Sequence, residues 1–506
     1  MKILKHIILS SLCFLFVLMA TWSCSSDGSP DEKEVIEPEV KSLTTNVTSL
    51  DFSSDDSSSN ITVTTNVDSW VISASGTPWI TLSQTSGVSG TSTVSVSVQK
   101  NQSIQARNAT ITINANKITP VKITVTQAGI TSTNGIYPDY ITETLPADPT
   151  GMTSTASEIA AKIKLGWNIG NSLEASGSET GWGNPMVSKA LIDAVKANGF
   201  NAVRIPCSWD QHLEDAANAK IKESWLNRVK EVVQYCVDND MYVLLNIHWD
   251  GGWLENNIEE SNKVAINAKQ KAFWEQIALH LKDFDEHLLF ASANEPDASN
   301  ATQMAILNSF HQTFIDAVRA TGGKNAYRTL VVQGPKTDIE LTNNLMTTLP
   351  TDTAANRLMV EVHYYTPWQF AGLTQDESWG KMAYYWGAGY HSTTNTERNA
   401  SWGEEAALKS YFKLMKEQFV DKNIPVILGE FGAIRRTTLT GADLQLHLDS
   451  RAYYVKTVVK EAKTNGLLPF YWDEGSTINN GFGIFNRNNN TVFDTKVLNV
   501  LLEGLN

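Results

Sequence analysis

Hydrophobic and polar positions keep two different rhythms along this chain. From about residue 40 to residue 129 they alternate strictly, as in Asn60-Ile61-Thr62-Val63-Thr64, Thr93-Val94-Ser95-Val96-Ser97-Val98, Ala109-Thr110-Ile111-Thr112-Ile113 and Val121-Lys122-Ile123-Thr124-Val125-Thr126. Successive side chains of a strand point to opposite faces, so this is the pattern of strands buried on one side. Polar turns separate them every ten or so residues, which predicts a small all-β, immunoglobulin-like sandwich. From 156 to 506 the pattern becomes short apolar runs alternating with amphipathic segments. Strands are predicted at 164–169, 200–205, 241–248, 287–293, 328–334, 358–364, 425–430 and 467–472. Helices are predicted at 190–198, 225–239, 265–284, 301–321 and 404–421. A continuous apolar run is a strand buried on both faces, as in a parallel sheet covered by helices. Eight such strands fit a (β/α)8 barrel. A doubly wound open sheet is the alternative, but no glycine-rich phosphate turn follows the first strand. Residues 130–155, rich in Thr, Pro and Gly, are expected to form a linker kept extended by Tyr137-Pro138 and Leu145-Pro146.

The first residues add a compartment. Lys2 and Lys5 precede an apolar run from Ile7 to Ala20 and then Thr21-Trp22-Ser23-Cys24. That is a signal peptide over residues 1–23, too short to be a membrane-spanning helix. A cysteine directly after the cleavage zone resembles a bacterial lipoprotein signal with Cys24 acylated, although Thr21 stands where leucine is usual. An ordinary secretory signal is the alternative. Residues 24–39, acidic and serine-rich, are expected to be a disordered tether. The expected location is the cell surface, with a lipid anchor in the outer membrane; a periplasmic or secreted protein is the alternative. A net charge of −14, from 40 Lys and Arg against 54 Asp and Glu, argues against nucleic acid and gives no steering toward anionic polymers. A neutral polymer suits it better. The 15 tryptophans offer flat faces for sugar rings, though most tryptophans in any protein are at least partly buried. Beyond Cys13 and Cys24 only Cys207 and Cys236 remain; two distant thiols after an export signal could pair, but they are expected to be free and partly buried, and no metal or redox spacing is present.

Candidate chemistry sits at two strand ends, Asn294-Glu295-Pro296 and Gly429-Glu430-Phe431-Gly432. Each glutamate follows an apolar run, and catalytic groups of a (β/α)8 barrel sit at the C-terminal ends of its strands. Either motif alone also fits a structural ion pair or a turn. Two carboxyls facing each other across a barrel mouth, one protonated and one ionised, are the equipment for cleaving a glycosidic bond.

Further motifs fall at the other strand ends: Leu165-Gly166-Trp167-Asn168-Ile169-Gly170-Asn171-Ser172-Leu173-Glu174, Val203-Arg204-Ile205-Pro206, Asn246-Ile247-His248-Trp249-Asp250-Gly251-Gly252-Trp253, Val362-His363-Tyr364-Tyr365 and Tyr471-Trp472-Asp473. With the two glutamate motifs these resemble glycoside hydrolase family 5 over nearly the whole C-terminal region. The resemblance implies Glu295 as acid then base, kept protonated by burial and by Glu430, and Glu430 as the nucleophile of a retaining double displacement. It implies that Arg204 holds Glu430 ionised, Asn294 binds the sugar 2-hydroxyl, Tyr365 orients Glu430, and His363 and His248 line the site. Trp472 would form the floor under the sugar, with Asn171 and Trp253 among the substrate contacts. Trp182, Trp249, Trp368, Trp379 and Trp386 are further subsite candidates. Many relatives carry a second histidine where this chain has Trp249. The segment from Tyr364 to Gly372, with Trp379-Gly380, resembles subfamily 4, which implies a β-1,4-glucan substrate, xyloglucan first and an unbranched glucan next. The alternative is a surface glycan-binding protein on a hydrolase-like barrel.

Trp79-Ile80-Thr81-Leu82-Ser83 and Thr124-Val125-Thr126-Gln127-Ala128-Gly129 resemble the BACON-type domain, implying a glycan-binding module or a spacer. No metal or organic cofactor is expected. The expected partner is a plant cell-wall polysaccharide, with no nucleic acid, and a monomer is the default.

Overall fold

The computed structural model describes residues 40–75, 78–99, 101, 106–128 and 136–506. The predicted signal, Cys24 and the tether lie outside the described residues. The described residues fall into two compact units, dividing between residues 128 and 136.

The first unit is all-β, with strands β1 (Leu43–Thr45), β2 (Ser49–Phe52), β3 (Ser57–Ala74), β4 (Ile80–Leu82), β5 (Ser86–Val98), β6 (Arg107–Ala115) and β7 (Val121–Gln127). They hydrogen-bond as one sheet, in the order β2-β7-β6-β3-β5-β4 with β1 on β3. The 18-residue β3 explains how one sheet wraps a single core. Its inward residues are Ile61, Val63, Thr65 and Val67, then Trp70 and Ile72. The change from odd to even positions coincides with the register shift between Thr65 and Ser69. There β3 advances four residues, Thr65 to Ser69, while β5 advances two, Gly90 to Val88, and this irregularity swaps the buried face.

The second unit is a closed parallel barrel. Its strands are β8 (Gly166–Ile169), β9 (Ala202–Ile205), β10 (Tyr242–Asn246), β11 (Leu288–Ala291), β12 (Leu330–Gln333), β13 (Leu358–Tyr364), β14 (Val426–Phe431) and β15 (Leu467–Asp473). Each lies within its predicted segment or a residue beyond it. Inside, the lower layer is apolar: Ala202, Leu244, Leu289, Ala291, Val331, Met359, Ile427, Leu468 and Phe470. The helix Ala156–Lys162 plugs the bottom with Ala156 and Ile159, and Ile163 follows. Its start is fixed by a capping box, Thr155 accepting from the Glu158 amide and Glu158 from that of Thr155.

Two residues further along β8, β9, β10, β12 and β13, on the same face, the interior turns polar with Asn168, Arg204, Asn246, Gln333 and Glu361, and β14 places Gly429 at that level. Buried polar groups must be paired to be tolerated: Arg204 joins Asn168 and Glu361, Gln333 joins Glu361, and Asn246 accepts from the Cys207 amide. That layer carries the site.

The expected linker is corrected over its second half. Residues 136–155 dock on the barrel: the Tyr140 amide donates to Glu275 Oε2 at 2.8 Å, Leu145 bridges to Gly322, and Arg357 donates to the carbonyls of Met152, at 2.7 Å, and Ser154. Proline keeps the backbone extended, and an extended backbone exposes groups that must find partners. Cys207 and Cys236 are buried free thiols, as expected. Among the described residues no helix is long and apolar enough to cross a membrane.

Candidate active site

Arg204 organises the polar layer. Fully buried on β9, its guanidinium meets Glu361 Oε1 at 2.7 Å, Glu430 Oε1 at 2.8 Å, Asn294 Oδ1 at 2.7 Å and Asn168 Oδ1 at 3.0 Å. A planar guanidinium with five donors is suited to holding several acceptors in fixed directions. Asn168 in turn donates to the Gly429 carbonyl at 2.8 Å, tying β8 to β14 just below Glu430. With Asn294 Oδ1 occupied by Arg204, its Nδ2 is left as the donor toward a ligand.

The glycine of the Gly-Glu motif has a physical reason. A Cβ at Gly429 would come within 2.0 Å of Glu361 Oε1. Around it β14 slips register against β13, so that Val362 faces Leu428 but His363 faces Glu430. The bulge turns Glu430 into the mouth.

There Tyr365 donates its hydroxyl to Glu430 Oε2 at 3.1 Å, and His363 Nδ1 meets Glu295 Oε1 at 2.8 Å. One atom each of Glu295, His363 and Glu430 lie within 4.8 Å of one another. One oxygen of each carboxyl is thus within 4.8 Å of the other, close enough for the retaining arrangement of about 5–5.5 Å between carboxyl groups. This trio is also the group among the described residues spaced to share a cation. Arg204 and a protonated His363 already supply the positive charge there.

Trp472 lies across the mouth because Gly170 has no side chain; a Cβ there would meet the indole at 2.8 Å. Trp472 stacks nearly parallel to His248, 9° between planes at 5.9 Å.

Electrostatics follow from burial and from these pairs. Desolvation opposes charging His363, but Glu430, Glu295 and Glu361 outweigh it and raise its pKa to about 9. His248 is driven the other way by burial and by Arg204 and His363, so it stays neutral. Burial pushes Glu361 up, but Arg204, His363 and Gln333 pull it below its ordinary value. Burial raises Glu430, His363 and Arg204 pull it back, and Glu295 adds a further upward push. Burial pushes the Tyr365 phenol well up, so it donates and does not ionise.

A family model described as cellulase (glycosyl hydrolase family 5) matches residues 168–477. This chain belongs to glycoside hydrolase family 5. A second model, described as a viral BACON domain, matches residues 42–130. The xyloglucan-specific endo-β-1,4-glucanase BoGH5A of Bacteroides ovatus is 35% identical over 97% of this chain and 96% of its own. Endoglucanase A of Paenibacillus barcinonensis is 38% identical over 69% of this chain and 90% of its own. The solved Bacteroides ovatus family 5 xyloglucanase in complex with a XXXG heptasaccharide covers 92% of this chain and 100% of its own, at 34% identity and a TM-score of 0.68.

Within this family 5 site, Glu295, Glu430, Arg204, Asn294, His363, Tyr365, His248 and Trp472 come together as expected from the sequence. Asn171 follows β8 at φ +55°, with its amide and that of Ser172 donating to Glu174. Three expectations are corrected. Trp253 is buried edge-on against Phe273 with Lys269 over its ring, so it is core and not a substrate contact. Trp386 is wholly buried among Tyr453 and Tyr454. Glu295 is not buried: its side chain is 45% exposed, because the cleft is open above it.

Trp182, Trp249, Trp368 and Trp379 are exposed, as subsite residues must be. Sequence reasoning missed Trp402, which shares a cavity of about 470 Å³ with Trp379. It also missed Glu361, Gln333 and Glu255, whose Oε1 accepts from the Glu295 amide at 2.7 Å. A charged residue inside the apolar run of β13, two before His363, was the available signal for Glu361.

Proposed function

We propose that this enzyme cuts internal β-1,4 bonds of xyloglucan backbones with retention of configuration. The observation that carries the reading is the Glu295–Glu430 pair in its Arg204–His363 frame. The likeness to BoGH5A, which runs through the N-terminal unit, favours xyloglucan over an unbranched glucan. Glu430, oriented by Arg204 and Tyr365, attacks the anomeric carbon while Glu295 gives its proton to the departing oxygen. Asn294 Nδ2 holds the 2-hydroxyl, a contact that strengthens in the transition state. Glu295, now ionised beside protonated His363, takes a proton from water, which breaks the Glu430 ester and restores the site.

The test is digestion of xyloglucan, carboxymethyl cellulose, mixed-linkage β-glucan and glucomannan, with product sizes read by chromatography. Large oligosaccharides mainly from xyloglucan are expected. Equal or better cleavage of the unbranched glucans would move the assignment to a general endo-β-1,4-glucanase. Binding without cleavage would favour a glycan-binding protein.

We also infer a monomer held at the cell surface by lipid on Cys24, with the N-terminal unit as spacer or glycan contact. The support is the segment before Cys24 and the tether composition. Radiolabelled palmitate should enter the wild-type protein and not Cys24→Ala; equal labelling would refute the anchor.

A further inference from the structure

The loops that follow β13, β14 and β15 enclose a cavity of about 190 Å³ on the C-terminal side of the barrel. Arg436 is the charged residue in its lining; the other polar ones, Thr374, Tyr384, Thr438, Asn479 and Asn480, are uncharged. The cavity is smaller than drug-sized sites of roughly 300–1,000 Å³, so its occupant is small.

Arg436 is held firmly but not neutralised. It is only 3% exposed. Its amide donates to His447 Nε2 at 3.0 Å, and His447 Nδ1 meets the Tyr384 carbonyl at 2.8 Å, so one imidazole fixes both residues. The guanidinium spends Nη2 on the carbonyls of Gln369 at 3.1 Å and Phe370 at 3.3 Å. Nη1 has the Met382 sulfur at 3.5 Å, a weak acceptor. Nε is buried and meets no acceptor among the described residues. An arginine placed only to tie down loop carbonyls has no reason to leave a buried donor unmade, which is costly.

No carboxylate among the described residues pairs with Arg436. The acid whose charge is felt there is Asp376, and it is already taken. Arg398 Nη1 and Nη2 meet its two oxygens at 2.5 and 3.0 Å, and the Met382 amide adds a third donor at 2.9 Å. Both guanidiniums lie against the Tyr384 ring, Arg398 at 4.9 Å and Arg436 at 5.4 Å from its centre. Two positive charges thus share one carboxylate. Burial lowers the Arg436 pKa to about 10, and Arg398 lowers it further, yet it stays charged at neutral pH. A buried cation without an anion is destabilising, and a ligand of opposite charge removes that penalty.

The lining specifies the anion. One uncompensated positive charge calls for a monoanion, and a planar guanidinium matches a carboxylate. Asn479 Oδ1 accepts from the amides of Thr437 at 2.7 Å and Thr438 at 3.3 Å, which orients the side chain and leaves Nδ2 as a further donor.

We propose that this cavity binds a small carboxylate, seated on Arg436 with Asn479 and the Thr438 hydroxyl as its other partners. Its source is a free acid such as acetate or a uronic acid unit of a polysaccharide; the two share one chemistry and part in the test. A net charge of −14 gives no long-range attraction to an anion, so recognition is by contact. Neither Glu295 nor Glu430 lines the cavity, and the proposal does not depend on which glucan is cut.

The test titrates sodium acetate and sodium D-glucuronate into the protein at fixed ionic strength, with glucose as neutral control, and follows the melting temperature. A saturable rise of about 2 °C is expected at about five times Kd, with none for glucose. The rise should vanish in Arg436→Met and in Thr438→Glu. The second variant sets the chain's own carboxylate at the exposed rim, and should also raise the ligand-free melting temperature. It keeps the test decisive if Arg436→Met does not fold. A response to glucuronate at about tenfold lower concentration than acetate assigns the site to a uronic acid unit; equal responses assign it to a free acid. No saturable rise with either acid in wild type, or a rise that survives Thr438→Glu, overturns the proposal and leaves Arg436 as a tie for loop carbonyls.

Discussion

Gly429→Ala should damage the enzyme from beneath its nucleophile. The added Cβ would stand 2.0 Å from Glu361 Oε1, against about 3.4 Å for ordinary contact, so the carboxylate must retreat by roughly 1.4 Å. It has nowhere to go. Glu361 is fully buried, with Oε1 on Arg204 at 2.7 Å and His363 at 3.2 Å, and Oε2 on Gln333 at 2.6 Å. Retreat would stretch the Arg204 contact toward 4 Å and turn the guanidinium that also holds Glu430 and Asn294. Overpacking costs about 1–3 kcal/mol, and complete loss of one partner of a buried pair about 3–5 kcal/mol. A partial rupture plus overpacking places the stability loss near ~3 kcal/mol. A displacement of about 1 Å in positioned catalytic groups costs on the order of 10²-fold in rate. The assay is kcat/KM on polysaccharide alongside calorimetry of the barrel transition. Gly389→Ala is the control, because a Cβ there meets nothing within 4 Å. Gly429→Ala with wild-type rate and melting temperature would refute the role assigned to Glu361.

Other expectations come from the same geometry. Glu430→Ala should abolish turnover, by on the order of 10⁴-fold or more, while polysaccharide binding in affinity electrophoresis persists; full activity would remove Glu430 as nucleophile. Proton NMR of early product should show the β anomer first, since the carboxyl separation fits retention; the α anomer first would contradict it. Raising His363 from 6.5 to about 9 contributes on the order of 3 kcal/mol, present in full below about pH 6.5 and lost as pH rises through about 9. Burial raises the carboxyls of Glu174, Glu255 and Glu474 to about 7, so their contribution fades lower, between about pH 4.5 and 7. Burial also holds the Cys207 and Cys236 thiols above their ordinary range. Urea unfolding between pH 7.5 and 9.5 therefore isolates the histidine in a Cys207→Ala, Cys236→Ala background, where a flat or rising profile would refute its charged state.

The barrel was legible because strands buried on both faces leave continuous apolar runs, and 358–364 coincides with β13. The eight side chains of the site were legible because each stands at a strand end beside a short motif. What stayed hidden depends on neighbours distant in sequence. Trp253 and Trp249 are four residues apart in one loop, yet one is core and the other exposed. An indole is the same residue in both roles, and only Phe273 and Lys269, on a later helix, decide that Trp253 turns inward. Glu255 carries no local signal at all, since its partner Glu295 is 40 residues away. The supposed linker misled for the same reason, because its hydrogen-bond partners lie on the barrel.

Charge balance in the polar layer supports the proposed division of roles between the two glutamates. Arg204 and His363 bring two positive charges, and fully buried Glu361, held below its ordinary pKa, neutralises one of them. One further carboxylate balances the layer; a second would leave a net negative charge in a site about to be sealed from water, which is costly. Glu430 receives donors from Arg204 and Tyr365, whereas Glu295 has His363 alone and faces the open cleft. Donors favour the charged form of a carboxyl and desolvation the neutral one. In the proposed mechanism a sugar stacked on Trp472 would cover Glu295 and remove the water that a charge there would need. In that mechanism Glu295 is the carboxyl that delivers a proton to the leaving oxygen, and Glu430 is the carboxylate beneath the anomeric carbon. The exposure of Glu295 in the open cleft is in this way part of how the pair divides its work: substrate binding supplies the burial that the acid lacks.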